Sequence, residues 1–103
     1  MVRVRIANPQ DGKVIGSIIR GESLHFLVEP EGVEAQRFYA TLEPSAIEKS
    51  MTEPTRHYFV AEEGNRVIGM IMTRENNYVS QFFVPTEHQG RGVGTKLWRF
   101  GTR

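Results

Sequence analysis

The feature that most constrains the fold is a run at residues 89–94 in which every second residue, from Gly90 to Gly94, is glycine. The preceding residues 78–84 are rich in aromatic and β-branched side chains, which favour a strand, and Pro85 ends it because proline cannot donate a ladder hydrogen bond. Apolar residues then recur at the spacing of one helix face, at Val93, Leu97 and Phe100. The sequence therefore predicts a helix whose unpaired N–H groups and dipole make an anion site at the glycines.

Two familiar phosphate-binding loops do not fit this spacing. A Walker-type loop needs Gly-Lys-Ser/Thr, whereas the order here is Gly94-Thr95-Lys96, which would not place the lysine over the phosphates. A dinucleotide-binding turn needs a third glycine where this chain has Thr95, and a strand that leads directly into the turn, whereas residues 85–89 intervene here. On spacing alone, other phosphate ligands stay open.

The remaining pattern is Q-x-x-G-x-G after a strand that ends Phe-Phe-Val-Pro. It closely resembles the pyrophosphate-binding segment of the GNAT acyltransferase family. In that family the segment holds the pyrophosphate of acetyl-coenzyme A (acetyl-CoA), and the preceding strand lies beside the thioester. The resemblance implies that acetyl-CoA is the acyl donor here. The expected cofactor-binding residues are Phe82, Phe83, Val84, Gln89, Gly90, Arg91, Gly92, Val93, Gly94 and Thr95.

The resemblance also implies an activity, the transfer of an acetyl group from acetyl-CoA to a primary amine by direct attack on the thioester. The acceptor would be a small molecule or a peptide. Two alternatives stay open: a coenzyme A-binding module without turnover, and a domain that binds nucleotides or other phosphates. The sequence does not identify the catalytic residues. Glu62, Glu63, Glu87, His57 and His88 are candidates for the base by residue type only.

In the family, the fold continues after the pyrophosphate helix with a fifth strand, a helix and two more strands, and a tyrosine in that later helix is the acid. We therefore expect residues 1–103 to be the N-terminal two-thirds of one GNAT-like domain, truncated after the pyrophosphate-binding helix. Later elements would normally cover the apolar face of that helix. An open edge on the last strand suggests a homodimer through this edge. Tyr39, Tyr58 and Tyr78 lie on apolar faces and are expected in the core.

Hydrophobic periodicity predicts the other elements. They are a strand at 2–6, a helix from 14 to a stop at Gly21, a loop at 22–33, helices at 35–42 and from Pro44 to a stop at Pro54, and strands at 57–62, 66–73 and 78–84. Asp11 is expected at the N-cap of the first helix, with turns at residues 63–65 and 76–77. The order predicts an α+β fold of the α/β-type GNAT kind, incomplete, with a mostly antiparallel sheet of about four strands and helices on its faces.

Composition limits the partners. A chain of 103 residues, 39% of them hydrophobic, is one small globular domain. A net charge of +1 predicts neither a nucleic-acid nor a membrane partner. The chain has no cysteine, and no His, Asp or Glu pair has metal-ligand spacing, so we expect no disulfide and no metal. No apolar run is long enough for a signal peptide or a membrane span, so a cytoplasmic protein is expected.

Residues 22–48 carry six glutamates against one arginine. In the family, this part of the chain lines the acceptor pocket, so the balance suits a cationic amine acceptor. A solvated helix surface explains the same balance equally well.

Overall fold

The computed structural model describes residues 1–23, 31–75 and 78–102. Within them, four strands form one antiparallel sheet in which each strand pairs with the next along the chain. The strands are β1 Val2–Ile6, β2 Arg56–Glu63, β3 Arg66–Arg74 and β4 Tyr78–Phe83, and the α-helices are α1 Gly12–Ser23, α2 Val33–Ala40, α3 Pro44–Met51 and α4 Val93–Gly101. Two 3-10 turns, Pro9–Asp11 and Thr86–His88, precede α1 and α4. The predicted fold class is confirmed.

The sheet separates two apolar cores, because successive strand residues face opposite sides. On one side, Val60 and Met70 are fully buried in a cluster to which α1 and α3 contribute. On the other side, Ile71 is buried with Leu97 of α4. The central strands β2 and β3 are therefore largely apolar at consecutive positions, as expected for strands that are covered on both faces.

Helix α4 is covered by the strands that precede it in the chain. Leu97 is fully buried, and a Cβ atom at Gly69 of β3 would lie only 3.0 Å from its Cδ1 atom. The absence of a side chain at Gly69 therefore lets the helix approach the sheet closely. Phe100 packs edge-on against Phe59 with ring centroids 5.3 Å apart. Trp98 of the same helix is 48% exposed.

The first helix differs from its prediction at both ends. It continues through Gly21 to Ser23, because one glycine costs a helix only about 1 kcal/mol and the buried Ile18 and Ile19 anchor the same turns. Asp11 is part of the preceding 3-10 turn, where its carboxylate accepts a hydrogen bond from the Asn8 N–H at 2.8 Å. The loop expected at residues 22–33 is helical at 22–23 and at 33, and its residues 24–30 lie outside the described part.

Smaller differences concern the second helix and the last strand. Helix α2 covers Val33–Ala40 where residues 35–42 were expected, and Leu42 is buried in the turn that follows. Strand β4 ends at Phe83, one residue earlier than predicted. Tyr78 is 66% exposed, so its expected core position is wrong, since alternate residues of β4 face outward. The two other tyrosines are buried as predicted. The expected turn at 76–77 lies outside the described residues.

A bulge sets the geometry of the β3–β4 pairing. Met72 pairs with Gln81, whereas the next residue of β3, Thr73, pairs with Val79. Ser80 is therefore an extra residue in β4, and the strand twists more strongly there.

Candidate functional site

The glycine-rich loop connects β4 to α4 in a backbone conformation that requires glycine. Gly90 and Gly92 have φ angles of 78° and 81°, in the left-handed region. Among the described residues, a Cβ atom at either position would meet no heavy atom within 4 Å, so the constraint is on the backbone and not on space. Gly92 is the N-cap of α4, and its carbonyl accepts the Lys96 N–H at 3.1 Å. The N–H groups of the first helical turn therefore begin inside the loop, as the sequence predicts.

A groove of about 400 Å³ follows this loop and the end of β4. We call it the glycine-loop groove; it is lined by Phe82, Val84, Gln89, Gly90, Gly92, Gly94 and Thr95. A second groove of about 440 Å³ shares Phe82, Gly94 and Thr95 with it and extends to Trp98 and Arg99. The rings of Phe82 and Trp98 lie 5.7 Å apart and form an apolar wall of the second groove, and Phe82 also lines the first.

Seven of the ten expected cofactor-binding residues line the glycine-loop groove, and three do not. Phe83 points to the other side of the sheet, where it packs against the core beside α1 and α3. The side chain of Val93 is buried beneath α4, so this residue offers only its backbone N–H to the loop. Arg91 forms an ion pair with Glu63 at the end of β2.

Two side-chain contacts hold the loop. The Gln89 side-chain amide donates to the Val84 carbonyl at 2.8 Å, which bridges the 3-10 turn between the strand and the glycines. The hydrogen bond from Arg91 lowers the pKa of the Glu63 carboxyl below its ordinary value, so that carboxylate stays ionised at neutral pH. His88 lies beside the pair, with its Nδ1 atom 3.5 Å from an Arg91 nitrogen.

The candidates for the base are spread over the molecule. Hydrogen bonds from Arg3 and Arg5 lower the pKa of Glu62, and Glu63 is paired with Arg91, so neither carboxylate is tuned to accept a proton near pH 7. His57 and Glu87 are exposed on the surface. His88 lies beside Arg91 of the loop, but none of the five candidates is part of the glycine-loop groove lining.

The contributions of Trp98 and Glu63 to this region were not predicted from sequence. Trp98 forms the apolar wall with Phe82, and Glu63 holds Arg91 away from the groove lining. The spacing of Trp98 four residues after Gly94 places both on one helix face, which is the only sequence signal for the wall. Neither helix spacing nor strand alternation indicates the pair between Glu63 and Arg91, which lie on different elements.

Two structural findings bear on the expected absence of a metal and of a membrane span. Over residues 1–23, 31–75 and 78–102, no group of three or more His, Cys, Asp or Glu side chains is placed to hold a metal ion. In that same part of the chain, every helix is too short or too polar to cross a bilayer.

The fold is similar to that of several solved acetyltransferases. PaiA N-acetyltransferase from Thermoplasma acidophilum, solved in complex with coenzyme A, matches with a TM-score of 0.78 at 12% identity over 97% of this chain and 69% of that one. A predicted acetyltransferase from Clostridium acetobutylicum, solved with acetyl-CoA, matches with a TM-score of 0.72 at 17% identity over 98% and 71% of the two chains. An aminoglycoside acetyltransferase from an uncultured soil metagenomic sample, in complex with sisomicin, matches with a TM-score of 0.68 at 18% identity. This match covers 98% of this chain and 70% of that one.

Comparison of the sequence with curated proteins finds no significant match. The sequence does match a family model, described as the acetyltransferase (GNAT) domain, over residues 10–101. This match includes both cores, the glycine-rich loop and all of α4. Together with the four-stranded antiparallel sheet, it establishes that the chain belongs to the GNAT acetyltransferase family.

Proposed function

We propose that this chain binds acetyl-CoA in the glycine-loop groove and transfers its acetyl group to a primary amine. The observation that carries the proposal is the loop itself. Two left-handed glycines and the N-terminus of a nine-residue helix adjoin a groove at the end of an aromatic edge strand. Such a helix start favours a pyrophosphate, through its N–H groups and its dipole.

Each part of the donor has a suitable partner. The backbone of residues 90–95 would hold the pyrophosphate, and the end of β4 would lie beside the pantetheine arm. Arg91 would leave Glu63 to pair with a phosphate, and such an exchange replaces one charge-assisted hydrogen bond by another. Gln89 would hold the loop and not contact the donor directly, because its amide nitrogen already donates a hydrogen bond to the Val84 carbonyl.

The transfer needs a neutral amine, a polarised thioester carbonyl and a departing thiolate. The amine nitrogen adds to the carbonyl carbon and forms the C–N bond, which gives a tetrahedral oxyanion. The oxyanion re-forms the carbonyl as the C–S bond breaks, the coenzyme A thiolate leaves and takes a proton from solvent, and the nitrogen loses its extra proton. A backbone N–H near the end of β4 would stabilise the oxyanion, a role that does not depend on the side chains there. Solvent or another group of the amine substrate takes the proton from the attacking nitrogen, since Glu62 and Glu63 are paired with arginines.

The alternative is a module that binds coenzyme A without turnover. The arginine partners of Glu62 and Glu63 favour it, because they remove two candidates for the base.

We also propose that residues 1–103 act as one GNAT-like unit and that a second copy of the chain pairs with the edge of β4. A cytoplasmic location stays a prediction.

The site assignment is tested by Gly92→Val, with Gly64→Val as a matched control. Both glycines have positive φ, 81° and 63°, and both have open space around a new Cβ, so the two variants carry similar backbone strain. Only Gly92 lies in the glycine-loop groove.

Fluorescence of Trp98, the single tryptophan, reports the binding of acetyl-CoA. We expect a loss of affinity of about a hundredfold in Gly92→Val, equivalent to two charge-assisted hydrogen bonds, and little change in Gly64→Val. Equal affinities in both variants would contradict the assignment.

Turnover separates the enzyme from the binding module. Release of free thiol from acetyl-CoA is measured with a panel of primary amines, and amine-dependent release is the expected result. Binding of acetyl-CoA without release would favour the inert module. Displacement of coenzyme A by ATP at similar concentrations would favour a general phosphate-binding domain.

A further inference from the structure

A separate polar groove, of about 430 Å³, lies between α3 and the sheet, on the face opposite to α4. We call it the arginine groove. Among the described residues, its lining is Thr41, Ala46, Ser50, Arg56, Tyr58, Met72, Arg74, Ser80 and Gln81. Two arginines and several neutral polar groups are thus present, and no acidic side chain is in this lining.

The two arginines face each other across the β2–β3 ladder. Arg56 and Arg74 are register partners, so their side chains leave the sheet side by side on the same face. Within the described part of the chain, no salt bridge joins either of them to a carboxylate. Like charges directly opposite each other destabilise a sheet, and an oxyanion held between them would remove that repulsion.

Arg56 is held in position for such a contact. Its Nη1 atom donates to the Ser50 hydroxyl at 2.8 Å, and that hydroxyl lies 2.8 Å from the Tyr58 hydroxyl. This chain of hydrogen bonds joins α3 to β2 and uses one of the five N–H donors of the guanidinium. An arginine fixed in this way loses less conformational freedom when it binds a ligand.

Gln81 supplies an independent observation in the same groove. Its side-chain oxygen is buried, and no group among the described residues donates a hydrogen bond to it. Buried polar atoms are nearly always paired in folded proteins, and a bound amine is one donor that could pair with this oxygen. Gln81 lies in β4 directly before Phe82, and each strand residue advances about 3.3 Å. The backbone of Gln81 is therefore close to the end of β4, where the thioester is proposed to lie, although its side chain leaves the opposite face of the sheet from Phe82.

We propose that the arginine groove binds the acceptor, and that the acceptor is a primary amine that also carries an oxyanion group, a carboxylate or a phosphate. Arg56 and Arg74 bind the oxyanion, and the Gln81 oxygen accepts a hydrogen bond from the amine. Arg74 pairs with Tyr78 at the start of β4, whereas Gln81 lies nearer the end of that strand. An acceptor with its oxyanion at the arginines and its amine at Gln81 therefore points the amine toward the strand end. The inference rests on the proposed function and names its substrate class.

The glutamates of residues 22–48 do not contradict an acceptor that carries an oxyanion. Glu31, Glu34, Glu43 and Glu48 are exposed, and none of them lines the arginine groove or the glycine-loop groove. In this part of the chain, the solvated-surface interpretation therefore accounts for them better than a cationic acceptor does.

The experiment titrates three short amines while the NMR signal of the Gln81 side-chain amide is followed. The probes are β-alanine with a carboxylate, 2-aminoethyl phosphate with a phosphate, and propylamine with neither. We expect saturable shifts with β-alanine, 2-aminoethyl phosphate or both, and the stronger of these two arms identifies the oxyanion. Propylamine is expected to bind at least about tenfold more weakly. Equal binding of propylamine, or no saturable shift with either anionic amine, would overturn the proposal.

Arg74→Gln tests the arginine itself, and Arg66→Gln at the other end of β3 is the matched control. Both side chains are exposed, so neither change removes core packing, and thermal melts verify that each variant is folded. Arg74→Gln is expected to weaken the anionic amine at least about tenfold, with Arg66→Gln unchanged. Unchanged affinity in Arg74→Gln would refute the assignment.

Acetyl-CoA affinity, measured through Trp98 fluorescence, separates this proposal from the donor site. Both arginine variants are expected to bind acetyl-CoA as the unaltered chain does. If the anionic amines bind and acetyl-CoA does not, the groove stands and the proposed function fails. If acetyl-CoA binds and the anionic amines do not, the donor site stands and the substrate class is wrong.

Discussion

At the scale of single residues, Arg5 connects three segments of the chain. Its guanidinium makes two hydrogen bonds to the Asp11 carboxylate, at 2.8 and 3.0 Å, and a third to Glu62 at 3.1 Å. Burial raises the pKa of Asp11, but the hydrogen bonds from Arg5 and from the Asn8 N–H outweigh it and leave the pKa below its ordinary value. The carboxylate therefore stabilises the folded state in its ionised form.

Asp11→Asn tests this network, with Glu34→Gln as a control at an exposed ion pair. Loss of the charge-assisted bonds should cost about 1–3 kcal/mol at pH 7. The folded-state pKa is lowered, so the contribution is complete above the unfolded pKa of about 3.9 and is lost as pH falls through the folded pKa. Urea denaturation at pH 7 and pH 3 should show a difference from the unaltered chain that shrinks in acid.

Glu34 and Arg37 are 88% and 74% exposed, so Glu34→Gln should change stability by less than about 0.5 kcal/mol at either pH. A difference for Asp11→Asn that persists undiminished at pH 3 would contradict an ionic role for Asp11.

At the scale of elements, the close approach of α1 to the segment between α2 and α3 depends on one glycine. A Cβ atom at Gly16 would lie 2.2 Å from the Leu42 carbonyl oxygen, a distance that backbone atoms cannot accommodate without moving. Gly21 lies in the same helix, but a Cβ atom there would meet no atom of the described residues within 4 Å. The helix can therefore be probed at two glycines that differ in their surroundings.

Gly16→Ala should destabilise the fold by about 1–3 kcal/mol, because the helix must shift away from the Leu42 turn. Gly21→Ala should stabilise it by about 0.5–1 kcal/mol, since alanine is the better helix former and has room. Denaturant midpoints of the two variants give both values. If Gly16→Ala were neutral or stabilising, the contact between α1 and the Leu42 turn would not be as close as described.

At the scale of the whole molecule, β4 is one of the two edge strands of the sheet, with β1 at the other edge. It pairs with β3, and no strand among the described residues pairs with its other edge. Tyr78 and Phe82 of this strand are 66% and 37% exposed. An aromatic strand edge with unpaired backbone groups favours association with another chain.

We therefore expect self-association that grows with protein concentration and is weakened by Tyr78→Lys, which places a charge on the edge strand. Val33→Lys is the matched control, because Val33 is similarly exposed, at 70%, but lies on α2. Sedimentation velocity over a range of concentrations measures the change. A monomer at all concentrations, or equal association in both variants, would exclude pairing through β4.

The sequence by itself determined most of the elements and the glycine-rich loop. Strand alternation at Val2–Ile6, the apolar runs of β2 and β3, and the glycines before α4 depend on near neighbours in the chain, so their patterns are visible without coordinates. The left-handed Gly90 and Gly92 confirm this loop because no other residue adopts such φ angles as readily.

Only the tertiary structure decided which distant groups meet. The α1 helix passes Gly21 because packing outweighs a weak local stop signal, and Arg91 pairs with Glu63 because α4 docks beside the β2–β3 hairpin. Arg56 and Arg74 become neighbours through the hairpin register, and Gln81 joins them through the bulge in β4. Register and docking minimise the free energy of the whole chain, and a local sequence pattern contains only the part of that energy that comes from near neighbours.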